Sequence, residues 1–250
     1  MGTTVWEQAS ERLQQAHDTQ ALPRAVLEWT LGQYPGKTAL TVSFGGGGLV
    51  LAHLLSEIDR SVPVIFLDTG MHFPETYAFK NEFVEKYKLN IVDVHPAFDP
   101  GPLYETDTDQ CCAIRKVEPM ARAVNGYDAW VSALRRDQSA TRGNIGLFDL
   151  QRVNEQDVLK VYPLAFWTRS EVWRYLYDNG VPYHPLLDQG YTSIGCWPCT
   201  RATRAGEDER AGRWSGSGKT ECGLHNFAAP GTTTATATTA SQPSDNETVQ

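Results

Sequence analysis

Thr38-Ala-Leu-Thr-Val-Ser-Phe-Gly-Gly-Gly-Gly-Leu-Val-Leu-Ala-His-Leu-Leu-Ser-Glu57 decides the fold. Residues 38–44 read as a strand and Gly45, Gly46, Gly47 and Gly48 as a turn. In residues 49–57 the apolar positions recur at helical spacing. Glycines between a strand and a helix let backbone N–H groups approach an anion at the helix N-terminus, and Ser43 can add a hydroxyl. A glycine connection can also serve tight packing alone, but four in a row exceed that need. The stretch matches neither Gly-x-Gly-x-x-Gly nor a Walker A loop.

Working outward, Val62-Pro-Val-Ile-Phe-Leu67 is a near-continuous apolar run, the pattern of a buried parallel strand. It ends in Asp68-Thr69-Gly70, which should emerge beside the glycine turn, at the strand ends where open α/β sheets bind ligands. A helix follows at 74–88. Further strands are expected at 90–94, 129–134 and 158–163. Thr168 and Glu171 form a capping-box pattern that opens a helix over 170–179. Residues 1–20 read as an amphipathic helix. The alternation predicts an α/β fold, a mainly parallel twisted sheet flanked by helices. The Thr-, Ala- and Ser-rich stretch 229–250 reads as a disordered tail. Gly218-Lys219-Thr220 imitates the end of a Walker A motif, but Arg213 stands where that motif needs glycine and no strand precedes it.

The 250 residues suffice for one sizeable core. With 22 basic against 30 acidic residues the net charge is −8, which argues against a general nucleic-acid binder. No apolar run suits a bilayer and no signal-peptide pattern opens the chain. A cytoplasmic location is therefore expected, where clustered cysteines bind metal more often than they form disulfides.

Cysteines fall as Cys111-Cys112, Cys196-Trp-Pro-Cys199 and a solitary Cys222. Adjacent cysteines point apart, which is awkward for one tetrahedral zinc but suits a cubane, whose irons are spread out. A zinc site and a redox dithiol at Cys196 and Cys199 stay open as alternatives; the dithiol leaves the adjacent pair unexplained. Cys222 lies in a Gly/Ser-rich segment near Arg213, Lys219 and His225, where thiolate would be favoured, or it is an incidental surface thiol. Lys116, Arg135, Arg136, Arg142, Arg210 and Arg213 lie close to these motifs and are candidates for phosphate or sulfate oxygens.

Together these pieces resemble the assimilatory adenosine 5′-phosphosulfate (APS) reductases, the iron–sulfur branch of the PAPS/APS reductase family. The resemblance rests on Ser43-Phe-Gly45, Leu67-Asp-Thr-Gly70 with His72 and Glu75-Thr76, and Cys111-Cys112 with Arg115-Lys-Val-Glu-Pro119. It continues through Leu134-Arg-Arg-Asp-Gln-Ser139 and Cys196-x-x-Cys199 to Glu221-Cys-Gly-Leu-His225. It implies an adenine nucleotide alpha hydrolase-like fold: one domain over 1–228, with a nucleotide core over about 38–200 and a mobile catalytic segment over about 201–228. It also implies that Cys222 attacks the sulfur of APS, expelling AMP, and that thioredoxin or glutaredoxin then releases sulfite, feeding sulfate assimilation and cysteine biosynthesis. Cys111, Cys112, Cys196 and Cys199 would hold a 4Fe–4S cluster. Ser43, Gly45, Gly46, Gly47, Asp68 and Thr69 would hold the nucleotide. Lys116, Arg136, Arg142, Arg210, Arg213 and His225 would face the phosphosulfate. Homo-oligomers are common in the family. Gly46 to Gly48 and Leu49 depart from its usual acidic or small polar residues there, so ligand contacts at this turn should be mostly backbone.

Overall fold

A computed structural model describes residues 4–215 and 219–224. Strands β1 (Thr38–Thr41), β2 (Pro63–Leu67), β3 (Asn90–Val94), β4 (Ala129–Val131), β5 (Phe148–Val153) and β6 (Gln156–Val161) form one sheet in the order β3-β2-β1-β4-β6-β5. Every neighbouring pair is parallel except β5 and β6. The mainly parallel sheet is the one the alternating sequence pattern predicts.

Side chains alternate across the strands with a period of two and so feed two cores. Leu40, Val64 and Phe66 pack on one face, under α2 (Leu22–Gln33), α3 (Gly46–Ile58) and α4 (Pro74–Tyr87); α1 (Val5–Ala16) adds Ala9 and Leu13 to the same core. Ala39, Ile65, Leu67 and Trp130 face the other way. Short helices α5 (Leu103–Thr106), α6 (Thr108–Cys112) and α7 (Glu118–Ala123) follow β3, and Met120 of α7 closes this second core together with Leu224. The last helix, α8 (Arg169–Asp178), opens with the expected capping box of Thr168 and Glu171 and returns to the first face.

Three features differ from the sequence reading. First, β1 stops at Thr41, and α3 begins at Gly46, so Gly46, Gly47 and Gly48 are the first turn of the helix and not a turn before it. Packing explains the glycines: a Cβ on Gly46 would meet Val172 Cγ1 at 3.1 Å, on Gly47 the Ala133 Cβ at 3.2 Å, and on Gly48 the Val42 Cγ1 at 3.2 Å. Second, the strand expected over 129–134 ends at Val131, and residues 132–134 leave the sheet into a cleft. Third, β5 was not anticipated. It is an edge strand with only Phe148 and Val153 buried, joined to β6 through Asn154 at φ 54°. The 229–250 tail and His225 lie outside the described residues.

Lys160 on β6 is fully buried, its Nζ 4.3 Å from the Trp130 ring centroid. Burial pushes its ammonium down to about 7, with Asp149 and Cys222 acting in the opposite sense. No described helix is long and apolar enough to cross a membrane.

The strand order reverses at β1: the chain continues to β2 on one side and reaches β4 on the other. A crevice outside the carboxyl ends of β1 and β4 is the consequence, and such switch points are where open α/β sheets bind ligands.

Candidate active site

The crevice is a cleft of about 250 Å³. Its floor is backbone. Phe44 turns the chain at φ 56°, a costly conformation for a bulky residue, stabilised by burial among Phe66, Phe79 and Phe83. Beyond it, Gly45 N-caps α3 with no side-chain hydrogen bond, so the first N–H groups of the helix are left to a ligand or solvent. Ser43 and Gly45 to Gly48 all line the cleft, as do Thr69 from the end of β2 and Ser132 from the end of β4.

Cations close the opposite wall. Lys116, Arg142, Arg210 and Arg213 reach the cleft together with Cys222. Burial, with Arg142 nearby, pushes the Arg210 guanidinium down to about 10, so it stays charged at neutral pH. Arg142 and Arg210 converge on the Glu221 carboxylate at 2.7 and 3.2 Å. Arg213 lies 4.6 Å from the Trp214 ring and fills the space beside Gly195, where a Cβ would clash with its guanidinium. Among the described residues, the buried Ser132 Oγ, Arg210 Nε and Arg213 Nε have no hydrogen-bond partner, and all three belong to cleft residues. Buried polar groups without partners are uncommon in native proteins, and their concentration here marks a ligand seat.

Two expected residues do not join it. Arg136 turns outward, stacks 4.5 Å from the Phe166 ring and donates from Nε to the Ile145 carbonyl at 2.6 Å. Asp68 accepts from the Tyr77 hydroxyl at 2.6 Å and from Gly70 N–H at 2.9 Å, which braces the turn after β2. These hydrogen bonds hold the Asp68 carboxyl below its ordinary range although burial opposes them. Arg135, and not its neighbour, points inward, but it is committed to Asp137 at 2.9 Å and Glu209 at 3.0 Å and so fixes the loop that carries Arg210. Ser132, Arg169 and Trp173 also line the cleft and were not singled out from sequence; Gln138, from the 134–139 stretch that carries the resemblance, lines it too. Ser132 had a usable signal, a small polar residue at the carboxyl end of an apolar strand.

A second, smaller cavity adjoins the cleft. Cys111, Cys112, Cys196 and Cys199 all line it, with Arg115, Lys116, Tyr104 and Trp214. The adjacent pair sits at the end of α6, just before a π-helical turn over Ala113–Val117 that carries Arg115 and Lys116; such turns are frequent at functional sites. Cys196 is held by a bridge to His72, and Trp197 N–H donates to Met71 O at 2.8 Å. Burial pushes the Cys111, Cys112 and Cys199 thiols up. Burial acts the same way on Cys196, but Lys116, the Thr69 hydroxyl 3.3 Å away and Arg213 outweigh it, and its net shift is toward thiolate. Lys116 answers in kind: burial would lower its ammonium, and Cys196 and Cys222 raise it overall. This lysine lines both cavities. Among the described residues, no three Cys, His, Asp or Glu side chains converge on a single metal-ion position.

A family model described as the phosphoadenosine phosphosulfate reductase domain matches residues 37–202. The chain belongs to that family. Within the PAPS reductase family it is 44% identical over 209 residues to the adenosine 5′-phosphosulfate reductase of Lysinibacillus sphaericus, covering 80% of this chain and 89% of that one. It is 43% identical over 210 residues to adenosine 5′-phosphosulfate reductase 1 of Bacillus subtilis, with the same coverage. A phosphoadenylyl-sulfate reductase from Candida auris, solved as a phosphate complex, is 27% identical, with a TM-score of 0.66 over 79% of this chain and 97% of that one. The chain is thus an oxidoreductase of a PAPS reductase family that acts on sulfur groups.

Proposed function

We propose that this protein reduces adenosine 5′-phosphosulfate to sulfite and AMP through Cys222. The observation that carries the reading is the convergence of the Cys222 thiol, Arg142, Arg210, Arg213, Lys116 and a glycine-lined helix start on one cleft. The Cys222 thiolate attacks the sulfate sulfur; an S–S bond forms as the S–O bond to phosphate breaks, and the electron pair leaves on AMP. A thiolate of reduced thioredoxin or glutaredoxin then attacks Cys222 Sγ, sulfite departs with the S–S electron pair, and the second thiol resolves the mixed disulfide. The dithiol thereby supplies both electrons. AMP leaves well only if its growing charge is neutralised, the task assigned to Lys116, Arg142, Arg210 and Arg213. The α3 N–H groups and Ser43 are assigned to phosphate, and the apolar wall of Val172, Trp173, Leu187 and Ile194 suits the purine.

We assign a 4Fe–4S cluster to the smaller cavity. Four cysteines lining one small cavity, with Lys116 and Arg115 as counter-charges, fit that group. When bound, it would cross-link α6 to the Cys196 turn and set the charge around Lys116, supporting the site without passing electrons to substrate.

The relatives favour APS over its 3′-phosphorylated form, while the Candida auris structure keeps PAPS as the second reading. Sulfite release with reduced thioredoxin, measured for both nucleotides, is expected to give a kcat/KM at least about 100-fold higher for APS, in line with the relatives named for that substrate. Equal or higher values for PAPS overturn the assignment. The backbone phosphate seat has its own test. Gly47→Ala regains about 1 kcal/mol of helix propensity but presses on Ala133 Cβ at 3.2 Å and its carbonyl at 3.4 Å. Thermal stability should stay within about 1 kcal/mol of the parent, while KM for APS rises about tenfold. An unchanged KM removes the α3 N-terminus from the binding site.

A further inference from the structure

Two of the cations assigned to the substrate already hold an anion. Arg142 donates from Nε to Glu221 Oε1 at 2.9 Å and from Nη2 to Oε2 at 2.7 Å, a bidentate fork. Arg210 Nη2 donates to the same Oε2 at 3.2 Å and to the Thr220 carbonyl at 3.4 Å. The Thr141 hydroxyl adds a 3.5 Å contact to Oε1. Glu221 immediately precedes Cys222. The short segment around it is tethered on both sides: Lys219 binds the Thr108 carbonyl at 3.1 Å and the Asp109 carboxylate, and Leu224 is buried in the second core.

A carboxylate presents two oxygens to guanidinium groups in the way a phosphate or sulfate does. Two anions in one arginine fork repel each other, so Glu221 and an incoming oxyanion compete for it. Because Lys219 and Leu224 anchor the flanks, release of Glu221 frees the residue beside the thiol without releasing the segment.

We propose that Glu221 is a positioning residue that acts as an internal anion: it closes the Arg142–Arg210 fork and seats Cys222 in the ligand-free enzyme, and the substrate's phosphosulfate exchanges with it. This rests on the reading of Arg142 and Arg210 as oxyanion ligands. The exchange makes arrival of substrate the event that frees the position beside the nucleophile while the flanks stay anchored. It also lowers the apparent affinity for any anion that uses the fork, because that anion must first displace Glu221.

The test is equilibrium binding of APS to the full-length protein carrying Cys222→Ser, so that no sulfur is transferred. Adding Glu221→Gln, which keeps the shape and removes the charge, is expected to tighten APS binding about fivefold or more. Adding Glu221→Asp should leave it within about twofold, since the charge remains. A side chain with a merely structural role would give the opposite sign, so unchanged or weaker binding in Glu221→Gln overturns the exchange. Arg142→Met and Arg210→Met in the same background should each weaken APS about tenfold or more. If they do not, the oxyanion assignment itself fails, an outcome distinct from failure of the exchange alone. A second readout uses Cys222 in the otherwise unaltered chain: peptide-mapped alkylation by iodoacetamide should quicken several-fold in Glu221→Gln. Inorganic sulfate should quicken it in the parent and have no effect in the variant. Equal rates in the two proteins, or protection of both by sulfate, overturn the proposal.

Discussion

Replacing Cys222 by serine is expected to lower sulfite release by more than about 10,000-fold, some 5.5 kcal/mol of barrier, while APS binding stays within about threefold. Two physical differences produce the loss. A serine hydroxyl is almost wholly protonated at neutral pH and is a poor nucleophile toward sulfur, whereas a cysteine thiol is readily ionised. If the serine oxygen did react, the product would be a sulfate ester with no S–S bond, and a dithiol could not open it by thiol–disulfide exchange. The structure adds a reason why no other cysteine should substitute. Cys222 lines the cleft beside Lys116, Arg210 and the α3 start, whereas Cys111, Cys112, Cys196 and Cys199 face the adjoining cavity. Single-turnover labelling with sulfur-labelled APS should mark the parent at Cys222, and reduced thioredoxin should remove the label. The variant should take up none. Sulfite release within tenfold of the parent, or label retained by the variant on another cysteine, would sink the nucleophile assignment.

Much of this cleft was legible because chemistry that depends on one residue type leaves a residue-type signal. The β1 to α3 stretch announces itself by an apolar run, glycines and helical periodicity in twenty consecutive residues. The sulfur-lined cavity was readable for the same reason, although its two pairs lie far apart in the chain and only the fold brings them together. Arg135 and Arg136 show where such reading stops. Backbone at Arg135 is extended, with φ −132° and ψ 150°, so consecutive side chains leave on opposite sides. One enters the protein and one leaves it, and nothing in two identical residues tells which. Glu221 belongs to a stretch that carries the resemblance, yet its role was not legible there. That role lies in contacts with Arg142 and Arg210, 79 and 11 residues away, which only the fold brings together. The edge strand β5 was missed because its interior is solvent-facing, so the apolar run that betrays a central strand is absent.

Replacing Cys196 by serine is the second large effect, and it separates the two classes of thiol. Three of the four are buried, and among them Cys196 alone has surroundings that favour thiolate, through Lys116, the Thr69 hydroxyl and Arg213. A ligand sulfur there would be a strong iron donor, and a serine oxygen is a weak one. The variant should therefore lose most of its iron and its brown colour, where the parent is expected to carry about four irons per chain. Stability should fall with the iron, because a group held by α6 and the Cys196 turn ties together segments about 85 residues apart. A loss of about 3 kcal/mol corresponds to roughly 6–12 °C in Tm for a chain of this size. Binding should suffer as well. The Cys196 sulfur lies 3.3 Å from the hydroxyl of Thr69, which lines the cleft, and Lys116 lines both cavities, so a disturbed sulfur cavity moves two cleft residues. Cys222→Ser gives the complementary pattern: full iron and near-normal binding, but no sulfite. Iron analysis, visible absorbance and thermal melts on the three proteins side by side read these outcomes. A parent that is colourless with one zinc per chain, or a Cys196→Ser protein that keeps its full iron, would remove the cluster from the cavity. Iron lost equally from both variants would mean that Cys222 is a ligand and that the division between a supporting set of four sulfurs and one reacting sulfur is wrong.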